Sequence, residues 1–96
     1  MIDLDPGHLA EVRRILAEHA PGCEVRAYGS RVTGGARKFS DLDLALRAPE
    51  AIEPRTLRAI KEAFSESNLP ILVDVQDWRR LPDTLRVFVE QHGERI

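Results

Sequence analysis

The segment from Gly29 to Leu46 constrains this chain more than any other. It opens on a small-residue pair, Gly29-Ser30, carries glycines again at 34 and 35, and runs through Ser40-Asp41 into Leu42-Asp43-Leu44-Ala45-Leu46. Side chains of an extended strand alternate between its two faces. Leu42, Leu44 and Leu46 then share one face, the core face. Asp41 and Asp43 share the other, about 7 Å apart along the strand. Two carboxylates held beside apolar residues repel unless something positive lies between them. A hard divalent cation such as Mg²⁺ answers that need, because it takes carboxylate oxygens and keeps water and phosphate oxygens as its other ligands. An Asp-x-Asp pair alone is common on protein surfaces. Its coupling to a Gly-Ser turn, with ten residues between, is what makes this segment specific.

The rest of the chain supplies a frame for that segment. Asp5-Pro6-Gly7 starts a helix over residues 7–19, with Leu9, Val12, Ile15 and Leu16 on one face and Glu11, Arg14 and Glu18 at favourable pairing distances. Pro21-Gly22 ends it, and Val25 and Ala27 alternate with Arg26 and Tyr28 in a strand over 24–28. Residues 30–35 read as a short helix or turn. The free N–H groups of a helix start give a physical reason to seat a phosphate at Gly29-Ser30, where the Ser30 hydroxyl can also cap. Arg31, Arg37 and Lys38 are the nearby cations. Arg37 and Lys38 enter the Asp strand and could hold phosphates, Arg31 could contact substrate or form a structural ion pair, Phe39 anchors the loop, and Ser40 braces it. The second strand covers 41–47.

A helix over 54–66 follows, with Leu57, Ile60, Ala63 and Phe64 inward, then a strand over 71–76. Asp74 interrupts that β-branched run, where a buried unpaired acid is costly. It shares a face with Leu72 and Gln76, opposite Ile71, Val73 and Val75. Asp77 is the weaker rival and suits a cap on the next turn. A last helix covers 82–92, with Leu85, Phe88 and Val89 apolar and Trp78 at the core's edge.

Ninety-six residues make one domain, 1–96, the prior expectation. The net charge of −2 offers no basic field for nucleic acid. A single cysteine, Cys23, forms no internal disulfide and fits a reducing cytoplasm. Neither a signal peptide nor an apolar run of about 20 residues is expected here, so membrane insertion is not.

The run Gly29-Ser30-Arg31-x-x-Gly34-x-Ala36-x-x-x-Ser40-Asp41-x-Asp43-Leu44 resembles the signature of the minimal nucleotidyltransferases of the DNA polymerase beta-like superfamily. The likeness covers almost the whole chain. It implies a compact α/β fold with a small mixed sheet and flanking helices. It implies that Gly29 and Ser30 hold nucleotide phosphates, with Arg31, Arg37, Lys38 and Ser40 as further nucleotide contacts. Asp41 and Asp43 become metal ligands, and Asp74 becomes the third catalytic and metal-binding carboxylate. Mg²⁺ and ATP are the implied cofactor and nucleotide, and the reaction is transfer of AMP to a hydroxyl.

The chain has little surface left for a second substrate, so a partner is expected: a small helical substrate-binding or toxin-like protein, or a second copy. In the resembled family some members are antitoxins that add AMP to a tyrosine of such a partner. The expected contact surface is apolar residues of the 54–66 or C-terminal helix, with Trp78 and Phe88 as candidates. Two other classes remain open at this point: a non-catalytic subunit that neutralises or scaffolds a helical partner, and a nucleotide-binding sensor.

Overall fold

The computed structural model describes residues 2–96. Asp5 opens the first helix, α1 (Pro6–His19), by accepting hydrogen bonds from the N–H groups of Gly7 at 2.8 Å and His8 at 3.4 Å. Pro6 sits in the first turn, where a missing N–H costs nothing. Val12, Ile15 and Leu16 turn inward. On the solvent side Arg14 bridges Glu11 at 2.6 Å and Glu18 at 3.0 Å, as the spacing requires.

Four strands form one mixed sheet in the order β3-β2-β1-β4. Strand β1 (Glu24–Tyr28) lies antiparallel to β2 (Leu42–Arg47), with Tyr28 opposite Asp43. Strand β3 (Val73–Asp77) lies parallel to β2, with Asp43 opposite Asp74. The parallel pair needs a crossover, supplied by helix α3 (Pro54–Ser65). A two-residue strand, β4 (Glu94–Arg95), pairs with β1 after helix α4 (Asp83–His92). The short helix α2 (Ser30–Thr33) links β1 to the loop before β2.

The alternation of each strand decides the layers. One sheet face carries Val25, Ala27, Leu42, Leu44, Leu46 and Val75, and it buries against Val12, Ile15 and Leu16 of α1 and Ile60 and Phe64 of α3. On the other face Tyr28 and Ala45 pack with Leu81 and with Val89 of α4. Helix α4 lies mainly over β1 and reaches β2 at Ala45 and Arg47. The part bearing Asp43 and Asp74 stays uncovered enough to leave Asp43 half-buried and Asp74 exposed.

One expected boundary moves. The third strand begins at Val73 rather than residue 71, and it extends to Asp77. The apolar face of α3 turns inward at Ile60 and Phe64, while Leu57 and Ala63 are half-buried. Trp78 is half-buried, with the Arg47 guanidinium 4.2 Å and that of Arg86 5.3 Å from its ring centre. Phe88 does reach the surface, 36% exposed beside the His92 ring. No helix among the described residues is long and apolar enough to cross a membrane.

Asp77 does more than cap. It is 1% exposed, and its two carboxylate oxygens accept from the Arg79 N–H at 3.0 Å and the Ile52 N–H at 3.0 Å. Arg79 in turn donates to the carbonyls of Ala48 at 2.9 Å and Pro49 at 2.7 Å. The β2–α3 connection is thereby pinned to the end of β3. Asp77→Ala leaves the buried Ile52 N–H and the part-buried Arg79 N–H without acceptors and is expected to lower unfolding free energy by about 2–4 kcal/mol. Urea denaturation measures this, and Asp74→Ala, at an exposed position, is the contrasting variant that should not show it.

Candidate active site

The site is built where β1 ends and β2 and β3 begin. Asp43 lies between its cross-strand neighbours Tyr28 and Asp74, in one row across three strands on the open face. Asp41 precedes β2 and is exposed, two residues before Asp43. Gly29 follows Tyr28 directly and has φ +82°. A Cβ built on Gly29 would collide with Oδ2 of Asp43. Glycine is therefore required twice here, by its backbone angle and by the approach of the carboxylate.

Gly29 is also the cap residue of α2, where its carbonyl accepts the N–H groups of Val32 and Thr33, each at 3.0 Å. The cap thus falls to Gly29 and not to the Ser30 hydroxyl; Ser30 is the first helical residue. The N–H groups of Ser30 and Arg31 precede the first helical bond and remain for an outside acceptor.

Arg31 is placed differently from the expected nucleotide contact. It is 6% exposed, and its guanidinium donates to four backbone carbonyls: Ser40 at 2.9 Å, Asp3 at 2.7 Å, Arg37 at 3.2 Å and Lys38 at 3.1 Å. This side chain is committed to shaping the loop. Ser40 tightens the same loop through its hydroxyl, which accepts from the Arg37 N–H at 2.8 Å. Arg37 and Lys38 keep their side chains exposed. Phe39 is 68% exposed, so it does not anchor the loop; Arg31 does.

The acidic residues share a face but do not form a closed cage. Among the described residues no group of three or more acidic, His or Cys side chains stands ready around an ion position. Asp74 is turned along its own strand, where Oδ1 accepts from Gln76 Nε2 at 3.1 Å. Partial burial, then the charges of Asp74 and Asp41, raise the pKa of Asp43 above the ordinary carboxylate value. Tyr28 beside it is pushed up to about 12 by burial and by Asp43 and Asp74, so its phenol stays protonated at neutral pH. Among the described residues none of the three aspartates is ion-paired. A donor set of unpaired carboxylate oxygens suits a hard divalent ion. The larger cavities lie elsewhere; one of about 530 Å³, lined in part by Cys23, Ile52 and Ile60, is at the far end of β2.

The polymerase beta nucleotidyltransferase family model matches residues 11–96. This chain belongs to that family, in its minimal nucleotidyltransferase branch. It is 41% identical over 90 residues to the Haemophilus influenzae "Probable protein adenylyltransferase MntA", a match spanning 94% of this chain and 79% of that protein. Among solved structures, a toxin–antitoxin structure with AMP-PNP superposes with TM-score 0.75 at 22% identity, over 96% of this chain and 72% of the other. A structure of the tri-AMPylated Shewanella oneidensis HEPN toxin in complex with its MNT antitoxin gives TM-score 0.67 at 19% identity, over 92% and 67% of the two chains. At such identities the structural likeness establishes the shared fold.

The minimal-nucleotidyltransferase fold thus carries an acid whose charge is costly in the free protein. Because Asp43 holds its proton more tightly in the folded state than in the unfolded chain, its contribution to stability is full below the unfolded carboxylate value. That contribution is lost as pH rises through the folded value. Asp43→Asn should therefore melt a few degrees higher than wild type at pH 7, with the difference shrinking as the pH falls toward 4. Calorimetric melts across that range check it, and the same variant should lose nucleotidyl transfer.

Proposed function

We propose that this protein transfers AMP from ATP to a hydroxyl on a helical partner protein, as the antitoxin half of a toxin–antitoxin pair. The observation that carries the reading is the row Tyr28–Asp43–Asp74 set against the Gly29 turn. The sequence identity to a protein adenylyltransferase supports the donor and the class of acceptor. The acceptor hydroxyl is taken to be that of a tyrosine, as in the antitoxins this chain resembles.

Asp41, Asp43 and Asp74 are the residues that would hold Mg²⁺. When bound, the ion supplies positive charge where the α-phosphate and the departing pyrophosphate gain negative charge. The chain's own groups have separate tasks. The N–H groups of Ser30 and Arg31 point a positive helix end at the triphosphate, within an otherwise acidic neighbourhood. Arg37 and Lys38 hold its outer phosphates from a loop that Arg31 and Ser40 keep in shape. Asp74, on the outermost of the three strands, faces the entering hydroxyl and accepts its proton as the oxygen attacks. Tyr28 stays neutral and closes the α4 side of the site with Leu81 and Val89.

Incubation with α-labelled ATP and Mg²⁺, with and without lysate of the producing cells, tests the reading. The expected result is a labelled protein that appears only with lysate or with a co-purified partner, and disappears with Asp43→Asn. Absence of any labelled protein contradicts it. Ser30→Ala, which keeps the backbone N–H group but removes the hydroxyl, should raise KM for ATP about 3–10-fold with little change in melting temperature. A matched loss of melting temperature and activity would instead make Ser30 a folding residue.

A further inference from the structure

The three acids of the site are not held in the same way. Asp43 and Asp74 stand in the strand ladders, where register fixes each against the other. Asp41 stands outside both ladders, one residue before β2. An ion such as Mg²⁺ demands near-octahedral ligand placement. A carboxylate on unpaired chain meets that demand only if its backbone is held by something else. Two hydrogen bonds bracket Asp41. On its C-terminal side the Leu42 N–H donates to the Leu72 carbonyl at 3.0 Å. On its N-terminal side the Ser40 carbonyl, part of the peptide group that leads into Asp41, accepts from Arg31 Nε at 2.9 Å.

Arg31 is itself anchored from behind. The Asp3 N–H donates to the Arg31 carbonyl at 2.6 Å, and Arg31 Nη1 donates back to the Asp3 carbonyl at 2.7 Å. Ile2 and Leu4, on either side of Asp3, pack partly buried against the core. Nη2 reaches the carbonyls of Arg37 at 3.2 Å and Lys38 at 3.1 Å. Residues 2–4 and the 37–40 turn therefore meet through one guanidinium. Its donors lie on three nitrogens of a rigid plane and serve four carbonyls at once. A lysine ammonium carries the same charge on a single nitrogen and cannot span them.

We propose that Arg31 is a positioning residue for Asp41, moored through residues 2–4. Its fork fixes the peptide before Asp41, so that this carboxylate joins those of Asp43 and Asp74 on one divalent ion. Arg31 thereby sets how many carboxylates the ion receives. This rests on the metal role given to the three acids and deepens it by naming the group that completes the set. Direct contact between Arg31 and the triphosphate is the competing reading. Such a contact needs the charge and not the fork, so lysine would serve.

The probe is Mn²⁺, whose paramagnetism broadens the carboxyl carbon signals of the residues that hold it. It is titrated into the full chain with AMP-PNP present. In wild type the signals of Asp41, Asp43 and Asp74 should broaden together. In Arg31→Lys those of Asp43 and Asp74 should still broaden and that of Asp41 should not, with the amide signals of residues 42–46 unmoved. The Mg²⁺ needed for half-maximal transfer should rise roughly 10–100-fold in that variant. Broadening of all three acids in Arg31→Lys overturns the proposal while leaving the metal reading standing. Broadening of Asp43 and Asp74 without Asp41 in wild type overturns it too. If wild type broadens none of them, the metal reading fails and this proposal fails with it. Where Arg31→Lys does not fold, the Arg31 Nε–H signal of wild type decides. Slow exchange with water and an unmoved shift on adding Mg²⁺ and AMP-PNP support the proposal; fast exchange, or a shift on adding nucleotide, overturns it.

Discussion

The rest of the site depends on the approach of the Asp43 carboxylate to the backbone of Gly29. A strand, a turn and a helix start meet at that point, and each depends on the others. Gly29 must adopt a positive φ to turn the chain out of β1 and into α2. It must also lack a side chain, so that the acid of the neighbouring strand can lie against the turn. The antiparallel register of β1 with β2 brings the two together, and the parallel register of β2 with β3 adds Asp74 on the far side. The site is thus a consequence of strand register, with few loop residues needed to complete it.

What the register cannot do is neutralise the charge it gathers. Partial burial, then the charges of Asp74 and Asp41, raise the pKa of Asp43. The cations nearby are used in other ways: Arg31 is drawn inside to hold carbonyl groups, and Arg37 and Lys38 stay on the loop. Filling the position of Arg31 with a phosphate ligand would free three loop carbonyls that its guanidinium now satisfies. The molecule therefore spends stability at the acidic row and recovers it at the opposite sheet face, where leucines 42, 44 and 46 are fully buried. This is the usual trade of a functional site against its scaffold.

Much of this was legible in the sequence because strand alternation is a strict code. Leu42, Leu44 and Leu46 read as core and are core; the place of Asp74 opposite Asp43 is a register between strands, which alternation within a strand does not set, and it was expected only from the family resemblance. The Gly-Ser turn was equally readable, since few other residues tolerate that backbone. Arg31 was not. Its role depends on three carbonyls turned inward by a loop without periodicity, and a buried arginine and a phosphate-binding arginine look alike in sequence. Asp77 was read as a local cap, but half of its work is a bond to Ile52, 25 residues away. Strand β4 has two residues and so carries no pattern to read. The exposure of Phe39 was not legible either, because the loop anchor expected of it is supplied by Arg31.

If nucleotide and divalent ion relieve the crowded charge of Asp43, its proton affinity must fall when they bind. Carbon-detected NMR titration of the Asp43 carboxyl, in the free protein and with Mg²⁺ and AMP-PNP, measures this. The expected pKa lies above that of an ordinary aspartate in the free protein and falls below it in the complex. An ordinary value in the free protein that ion and nucleotide leave unmoved would contradict it.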